Sequence, residues 1–263
     1  MHLELISYGA LTPSTGAAAV AFTGDSLTIK NSKSAARILA MWALNTVTGY
    51  HQIVYPSGHD TTRNWRTVVL GGQPDIRNVL GTPWIVQPQE LLTITIAGTA
   101  AANTELGHLL IEYEDLPGMQ GRYIDWDSLL TRAERQVTVQ ATITTTGVGY
   151  SGSEAINVDS DLLRANRDYA LVGIETTSQC GAITVQGPDT SNVKIGVPGQ
   201  SGKPDQMGSF FAMLSRAYGR KTIPVINSGN RTSTLIGLAQ NESITTAVVS
   251  LNLVLLRNQR DND

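Results

Sequence analysis

The chain has one cysteine, Cys180, so no intrachain disulfide can form and the framework of a small oxidised secreted domain is excluded. Charged residues make up only 16% of the 263 residues and aromatics only 6%. A disordered polymer, a coiled coil or a long charged helix would need far more Glu, Lys and Arg. There is no basic excess either. The formal net charge of −3 gives the surface no reason to seek phosphate, and direct sequence-specific nucleic-acid binding is not expected. No stretch reaches the ~18 uninterrupted apolar residues of a membrane-spanning helix. The opening MHLELISYGALTPSTG lacks the basic flank and apolar core of an export signal, so the expectation is a soluble protein.

What the chain does have is an ordinary 41% apolar content and 29 threonines, many beside Val, Ile and Leu. That is the composition of pleated, half-buried strands. Strands are expected at Ser26–Lys30, Ala36–Val47, Gln52–Tyr55, Arg66–Leu70, Trp84–Val86, Leu91–Ala97 and Leu106–Tyr113. A second series follows at Gln136–Thr145, Tyr169–Thr176, Ala182–Gln186, Val193–Val197, Pro224–Asn227, Ser233–Leu238 and Thr245–Leu256. Helical spacing is confined to Asp125–Arg135, between the two series, and Asp205–Tyr218, which Gly219 stops.

The halves echo one another at an offset of about 140 residues. TPWIVQPQELLTITIAG, from Thr82, aligns with TIPVINSGNRTSTLIGL, from Thr222, and TELGHLLIEY aligns with ITTAVVSLNL. Earlier segments agree more loosely. AFTGDSLTIK answers QVTVQATITTT, ARILAMWALNT answers DYALVGIETTS, and the excursion PSGHDTTRN answers VPGQSGKPDQ. The reading is all-β: two tandem jelly-roll β-sandwiches joined by a short helical linker. The boundaries fall at 1–17 for an amino-terminal arm, 18–116 for the first jelly roll, 117–135 for the linker, 136–257 for the second and 258–263 for a tail.

Two tandem jelly rolls also describe a bicupin enzyme, for which the candidate metal ligands are His2, His51, His59 and His108. A cupin-like site needs two histidines one residue apart, a nearby Glu and a further His converging on one ion. No such pair occurs, and the second half has no histidine. Gly147, Gly149 and Gly152 satisfy G-x-G-x-x-G, yet SEAINVDS after them alternates like a strand instead of opening a phosphate-facing helix. Asp168, downstream, reads as a cap or turn residue. Cys180 has no histidine in its half to activate it and reads as a small buried residue. Asn230 and Asn241 match the glycosylation acceptor pattern without an export signal to give it meaning. Arg216, Arg220 and Lys221 form a basic cluster suited to a helix end. Catalytic, cofactor-binding and metal residues are therefore all expected to be none, and so are cofactors; the chain reads as no enzyme.

Two jelly rolls in one chain of this size, joined by a helical bridge and lacking a pocket signature, resemble the double jelly-roll major capsid proteins of tailless icosahedral viruses, including bacteriophages with an internal membrane. The resemblance runs from about Ala18 to Leu256 and consists of strand order and duplication. It implies a homotrimer of roughly hexagonal outline tiling a capsid lattice, located in the virion and assembled in the host cytoplasm. Minor capsid or vertex proteins and an internal membrane are the further partners it implies. Low charge with abundant Thr, Ser, Asn and Gln suits neutral hydrogen-bonding edges between subunits. Outer loops are expected at Pro56–Asn64 and Gly187–Gln206, and the arm Met1–Ala17 is expected either to lie along a neighbour, a minor shell protein or an internal membrane, or to be a frayed terminus. The rival class is a β-sandwich module binding a carbohydrate or a receptor. For it Trp65 would be the sugar platform, since Trp42, Trp84 and Trp126 sit in patterns that suggest burial.

Overall fold

The computed structural model describes residues 1–11, 18–19, 23–24, 28–30, 35–45, 49–58, 65–69, 75–77, 84–98, 104–114, 121–144, 149–156, 162–199, 204–240 and 246–257. The fold is all-β and sandwich-like, with four antiparallel sheets in two pairs. The first pair is built from β1 (His2–Leu11), β2 (Ala18–Ala19), β3 (Thr23–Gly24), β4 (Ala36–Asn45), β5 (Gly49–Val54), β6 (Trp65–Val69), β7 (Asp75–Arg77), β8 (Trp84–Val86), β9 (Thr93–Gly98) and β10 (Thr104–Tyr113). One sheet runs β3-β1-β10-β4-β7, with β8 also on β4, and the other runs β2-β9-β5-β6. Ile6, Tyr8, Ile38, Ile53, Ile94, Leu109 and Ile111 fill the space between them.

The second pair comprises β11 (Tyr123–Ile124), β12 (Ala133–Thr144), β13 (Gly149–Ala155), β14 (Asp168–Thr176), β15 (Cys180–Gln186), β16 (Ile195–Gly199), β17 (Ile223–Asn227), β18 (Leu235–Gln240) and β19 (Thr246–Leu256). Helix α1 (Trp126–Arg132) precedes β12, and α2 (Pro204–Met207) and α3 (Phe210–Tyr218) lie between β16 and β17. The sheets run β11-β17-β14-β19-β12 and β13-β18-β15-β16. The order of the first pair is thus repeated. β12, β19, β14 and β17 stand where β1, β10, β4 and β7/β8 stand, and β13, β18, β15 and β16 stand where β2, β9, β5 and β6 stand.

Local signals set the helix ends, and Gly219 acts as the sequence suggests. Asp125 caps α1 by accepting the Ser128 N–H at 2.7 Å, and Gly219 ends α3 with φ 63°, a left-handed conformation glycine adopts without strain. Helix α1 is shorter than Asp125–Arg135 because Ala133 already has strand angles and opens β12. The expected helix Asp205–Tyr218 is broken into α2 and α3. Around the break, the Gly208 carbonyl accepts from Asn252 Nδ2 at 3.2 Å, and any Cβ on Gly173 would fall 2.3 Å from the Gly208 carbonyl carbon.

Other expectations are corrected. His2–Leu11, assigned to a free arm, is an interior strand paired with β10 along its full length and with β3 at its far end. The structural counterpart of QVTVQATITTT is therefore β1, and half of AFTGDSLTIK lies outside the described residues. Gly149 and Gly152 belong to β13, paired with β18, while Gly147 lies outside the described residues. Of Gly187–Gln206, residues 200–203 lie outside the described residues, and the stretch before them is no open loop: it holds β16, buried at every position, and a 3-10 turn over Pro188–Thr190 with Asp189 buried. Of Pro56–Asn64, residues 59–64 lie outside the described residues. The two excursions also occupy different places, one between β5 and β6 and the other between β16 and β17.

Candidate functional site

The most developed constellation of polar and aromatic groups lies where the two sandwiches meet. The runs ARILAMWAL and LGHLLIEY are mostly apolar without strict alternation, and all their positions but Arg37 are buried, as in strands covered on both faces. One face of β4 and β10 lines the first core; the other carries Leu39, Ala40, Trp42 and Leu110 into a core shared with Ile183, Ile195, Phe210 and Leu214 of the second sandwich. Strand β1 adds Leu3 and Leu5 to the same layer. The backbones come close enough to bond directly, with Leu5 N–H donating to the Lys194 carbonyl at 2.7 Å. Trp42 Nε1 donates to the Gly181 carbonyl at 2.7 Å, and the Tyr218 hydroxyl to the Leu39 carbonyl at 2.8 Å. Gly181 and Gly196 are obligatory there. A Cβ would lie 2.8 Å from His108 Nε2 at Gly181, and 2.8 Å from Leu5 Cδ2 at Gly196.

At one edge of this interface an ionic cluster replaces the apolar layer. Arg220 Nε meets Glu112 Oε1 at 2.6 Å, and Arg220 Nη2 meets Glu114 Oε1 at 2.5 Å. Arg37 Nη1 approaches the same Glu114 oxygen at 2.5 Å. Glu112 is fully buried, and this pairing offsets part of the cost of taking its carboxylate out of water. Hydrogen bonds from Arg220 and Arg37 hold the Glu114 carboxyl below the usual carboxylate range. The expected basic cluster is thereby divided: Arg220 is an interface residue, while Arg216 and Lys221 are exposed.

Among the described residues the histidines do not form a ligand set. His2 is buried and stacks on Tyr113 with ring centroids 4.9 Å apart. His51 Nδ1 lies 3.0 Å from the Tyr8 hydroxyl, and burial lowers its pKa to about 3. His108 Nδ1 lies 2.8 Å from Ser7 Oγ and stacks on Trp42; burial, with lesser contributions from His51 and Lys194, lowers its pKa to about 3. Sequence spacing does not reveal this Ser7–His108 pair, because it joins residues on paired strands β1 and β10. It has the contact of a nucleophile and its base, yet both groups are buried and the imidazole is far too weak a base near neutral pH. Among the described residues no three His, Cys, Asp or Glu side chains are grouped to hold a metal ion. His59 lies outside the described residues.

The remaining singled-out residues take structural places. Cys180 is buried, and desolvation pushes its thiol up to about 12. Burial would raise the Asp168 carboxyl, but hydrogen bonds from Arg122 and Asn227 lower it. Asp168 joins a network in which Asp189 accepts from the Asn227 N–H and from Asn230 Nδ2, each at 2.9 Å. Asn230 is thus tied inward, and Asn241 lies outside the described residues. Trp42 is fully buried, Trp84 and Trp126 are half-buried, and the Trp65 side chain lies outside the described residues.

No protein-family model matches this sequence, and no curated protein matches it. Among solved structures, the chain is similar to the PBSX exported protein XepA, at 9% identity and TM-score 0.29, over 95% of this chain and 86% of that one. It is similar to a cupin 2 conserved barrel domain protein from Leptotrichia buccalis, at 8% identity and TM-score 0.22, over 95% and 83%. It is also similar to the major capsid protein P2 of bacteriophage PM2, at 7% identity and TM-score 0.23, over 98% of each chain. Likeness at this level assigns no function.

Proposed function

We propose that the chain is a viral structural protein, a major capsid subunit whose two sandwiches are jelly rolls and whose trimers tile an icosahedral shell in the virion. One observation carries the reading: the same order of strands occurs twice, and the two copies are docked through a buried, mostly apolar layer. The orders β1-β10-β4-β7 with β2-β9-β5-β6, and β12-β19-β14-β17 with β13-β18-β15-β16, support reading each half as an eight-stranded jelly roll. A protomer holding two equivalent units side by side gives a trimer six such units, and six similar units around an axis pack as a hexagonal tile. The titratable groups support a non-catalytic role. The buried Ser7–His108 pair, the Cys180 thiol and the Asp168 network are all consumed in packing or hydrogen bonding.

Mass in solution together with negative-stain imaging tests this. A stable trimer of hexagonal outline, or closed shells, is expected. A monodisperse monomer that binds a glycan would overturn the proposal in favour of a β-sandwich recognition module, and stoichiometric bound iron, manganese or zinc would overturn it in favour of a bicupin.

A further inference from the structure

All four histidines lie in the first 108 residues, and residues 109–263 hold none. The three among the described residues, His2, His51 and His108, are fully buried. His51 lies between the two sheets of the first sandwich, against the Tyr8 hydroxyl of β1, with Thr67 of β6 and Ile96 of β9 beside it on its own sheet. His2 stacks on Tyr113 at the end of the β1-β10 pair. His108 faces the layer between the sandwiches. It meets Ser7 of β1, stacks on Trp42 of β4 and turns towards Gly181 of β15 an Nε2 that has no hydrogen-bond partner.

A positive charge is poorly received at each of these places. Lys194 and His51 oppose it at His108, and the terminal amine and Lys30 oppose it at His2. The buried carboxylates of the first sandwich are engaged elsewhere: Glu4 with Lys30, Glu90 with the Ser57 hydroxyl and the Gln87 N–H, and Glu112 with Arg220. In the second sandwich the shifted groups do not answer to mild acid. Burial pushes the Cys180 thiol up to about 12, and the hydrogen bonds of Arg122 and Asn227 outweigh burial to hold the Asp168 carboxyl low.

We propose that mild acid opens the first sandwich and its contact with the second as one unit, leaving the second sandwich folded. The proposal concerns a response built into the chain and does not depend on the shell-subunit reading. Separation of β1, β4, β5 and β10 exposes imidazoles that take up a proton near pH 6.5, whereas His51 and His108 refuse it down to about 3 while buried. From pH 7 to pH 5 each therefore multiplies the population of a state that exposes it by about 25-fold, and the two together by about 600-fold. Such sub-global opening follows the distribution of the sensitive groups, and here that distribution is one-sided. His108 ties the contact between the sandwiches to the opening, because a charge there enters the same layer as the Trp42–Gly181 hydrogen bond.

The test is thermolysin cleavage of the full chain at pH 7 and pH 5, each rate divided by that of an unstructured peptide and each cut located by mass. Slow cleavage follows the population of the open state. Cuts inside β4 and β10 are expected to accelerate at least a hundredfold at pH 5, and cuts inside β14 and β19 less than threefold. In His51→Gln/His108→Gln the acceleration in β4 and β10 should fall below tenfold; if that variant does not fold, the wild-type cleavage map decides alone. Acceleration in β14 and β19 that matches that in β4 and β10 would show a chain that opens as a whole. Equal rates at the two pH values would show imidazoles that water already reaches. Either result, or a folded double variant that responds like the wild type, overturns the proposal.

Discussion

Trp42 and Gly181, one in each sandwich, are joined by an indole N–H that donates to the glycine carbonyl at 2.7 Å inside a fully buried layer. The bond fixes the register of the two units where apolar packing alone would let them slide. Trp42→Phe keeps an aromatic ring there but leaves a buried carbonyl without its donor. The expected cost is about 1–3 kcal/mol, read as a lower urea midpoint. An unchanged midpoint would show that the carbonyl has found another donor and that the bond is dispensable.

Gly181 serves the same contact sterically. Adding a single methyl group at Gly181 places it 2.8 Å from His108 Nε2 and 3.2 Å from the Ala239 carbonyl, and neither neighbour is a free side-chain end. Gly181→Ala is therefore expected to destabilise the chain by about 1–3 kcal/mol through overpacking. Thermal unfolding measures it. Gly219→Ala is the informative comparison, because nothing lies within 4 Å of a Cβ there and any loss comes from φ 63° alone. Equal effects of the two substitutions would argue that crowding at the interface is not the cause.

The contrast between β4 and β12 shows what the sequence made legible. In β12, VTVQATIT alternates, and the structure buries Val139, Ala141 and Ile143 while exposing the threonines and glutamine between them. In β4, ARILAMWAL does not alternate strictly, a pattern left unread in the sequence and explained by the second body that covers its outer face. The offset of about 140 residues correctly related β8, β9 and β10 to β17, β18 and β19, because those strands carry proline and threonine punctuation. It failed for β1, since HLELISYGAL shares pattern but little composition with its counterpart β12. The interface chemistry was less visible still. Glu112 with Arg220, and Ser7 with His108, are brought together only by sheet pairing and by docking of the two halves.

Removing one member of the Glu112–Arg220 pair should cost more than removing both. Arg220→Met leaves the Glu112 carboxylate fully buried with Arg37 Nη1 as its remaining cation, 3.9 Å away. A loss of about 3–5 kcal/mol is expected. Adding Glu112→Leu to that variant should recover part of the loss, because no buried charge is then left. A double variant at least as unstable as Arg220→Met would mean that the arginine acts mainly through Glu114 or through packing of its alkyl stem.

The buried histidines give the chain a pH dependence whose sign follows from their location. His51 and His108 have folded-state pKa values of about 3, against 6.5 for an exposed imidazole. Below pH 6.5 the unfolded chain takes up protons that the folded chain refuses, so stability is complete above that pH and falls as the pH drops towards 3. Each histidine contributes a slope of up to about 1.4 kcal/mol per pH unit within this window. Glu114 and Asp168, whose carboxyls are held low, lose their stabilising charge only below about pH 4. Urea unfolding between pH 7 and pH 5 therefore isolates the histidines. His51→Gln should flatten the dependence by one histidine's share, because a glutamine can accept from Tyr8 without titrating. A wild-type stability that does not change across this range would place the imidazoles in contact with water, and with it would fall the claim that Tyr8, Ser7 and Trp42 seal them into the two cores.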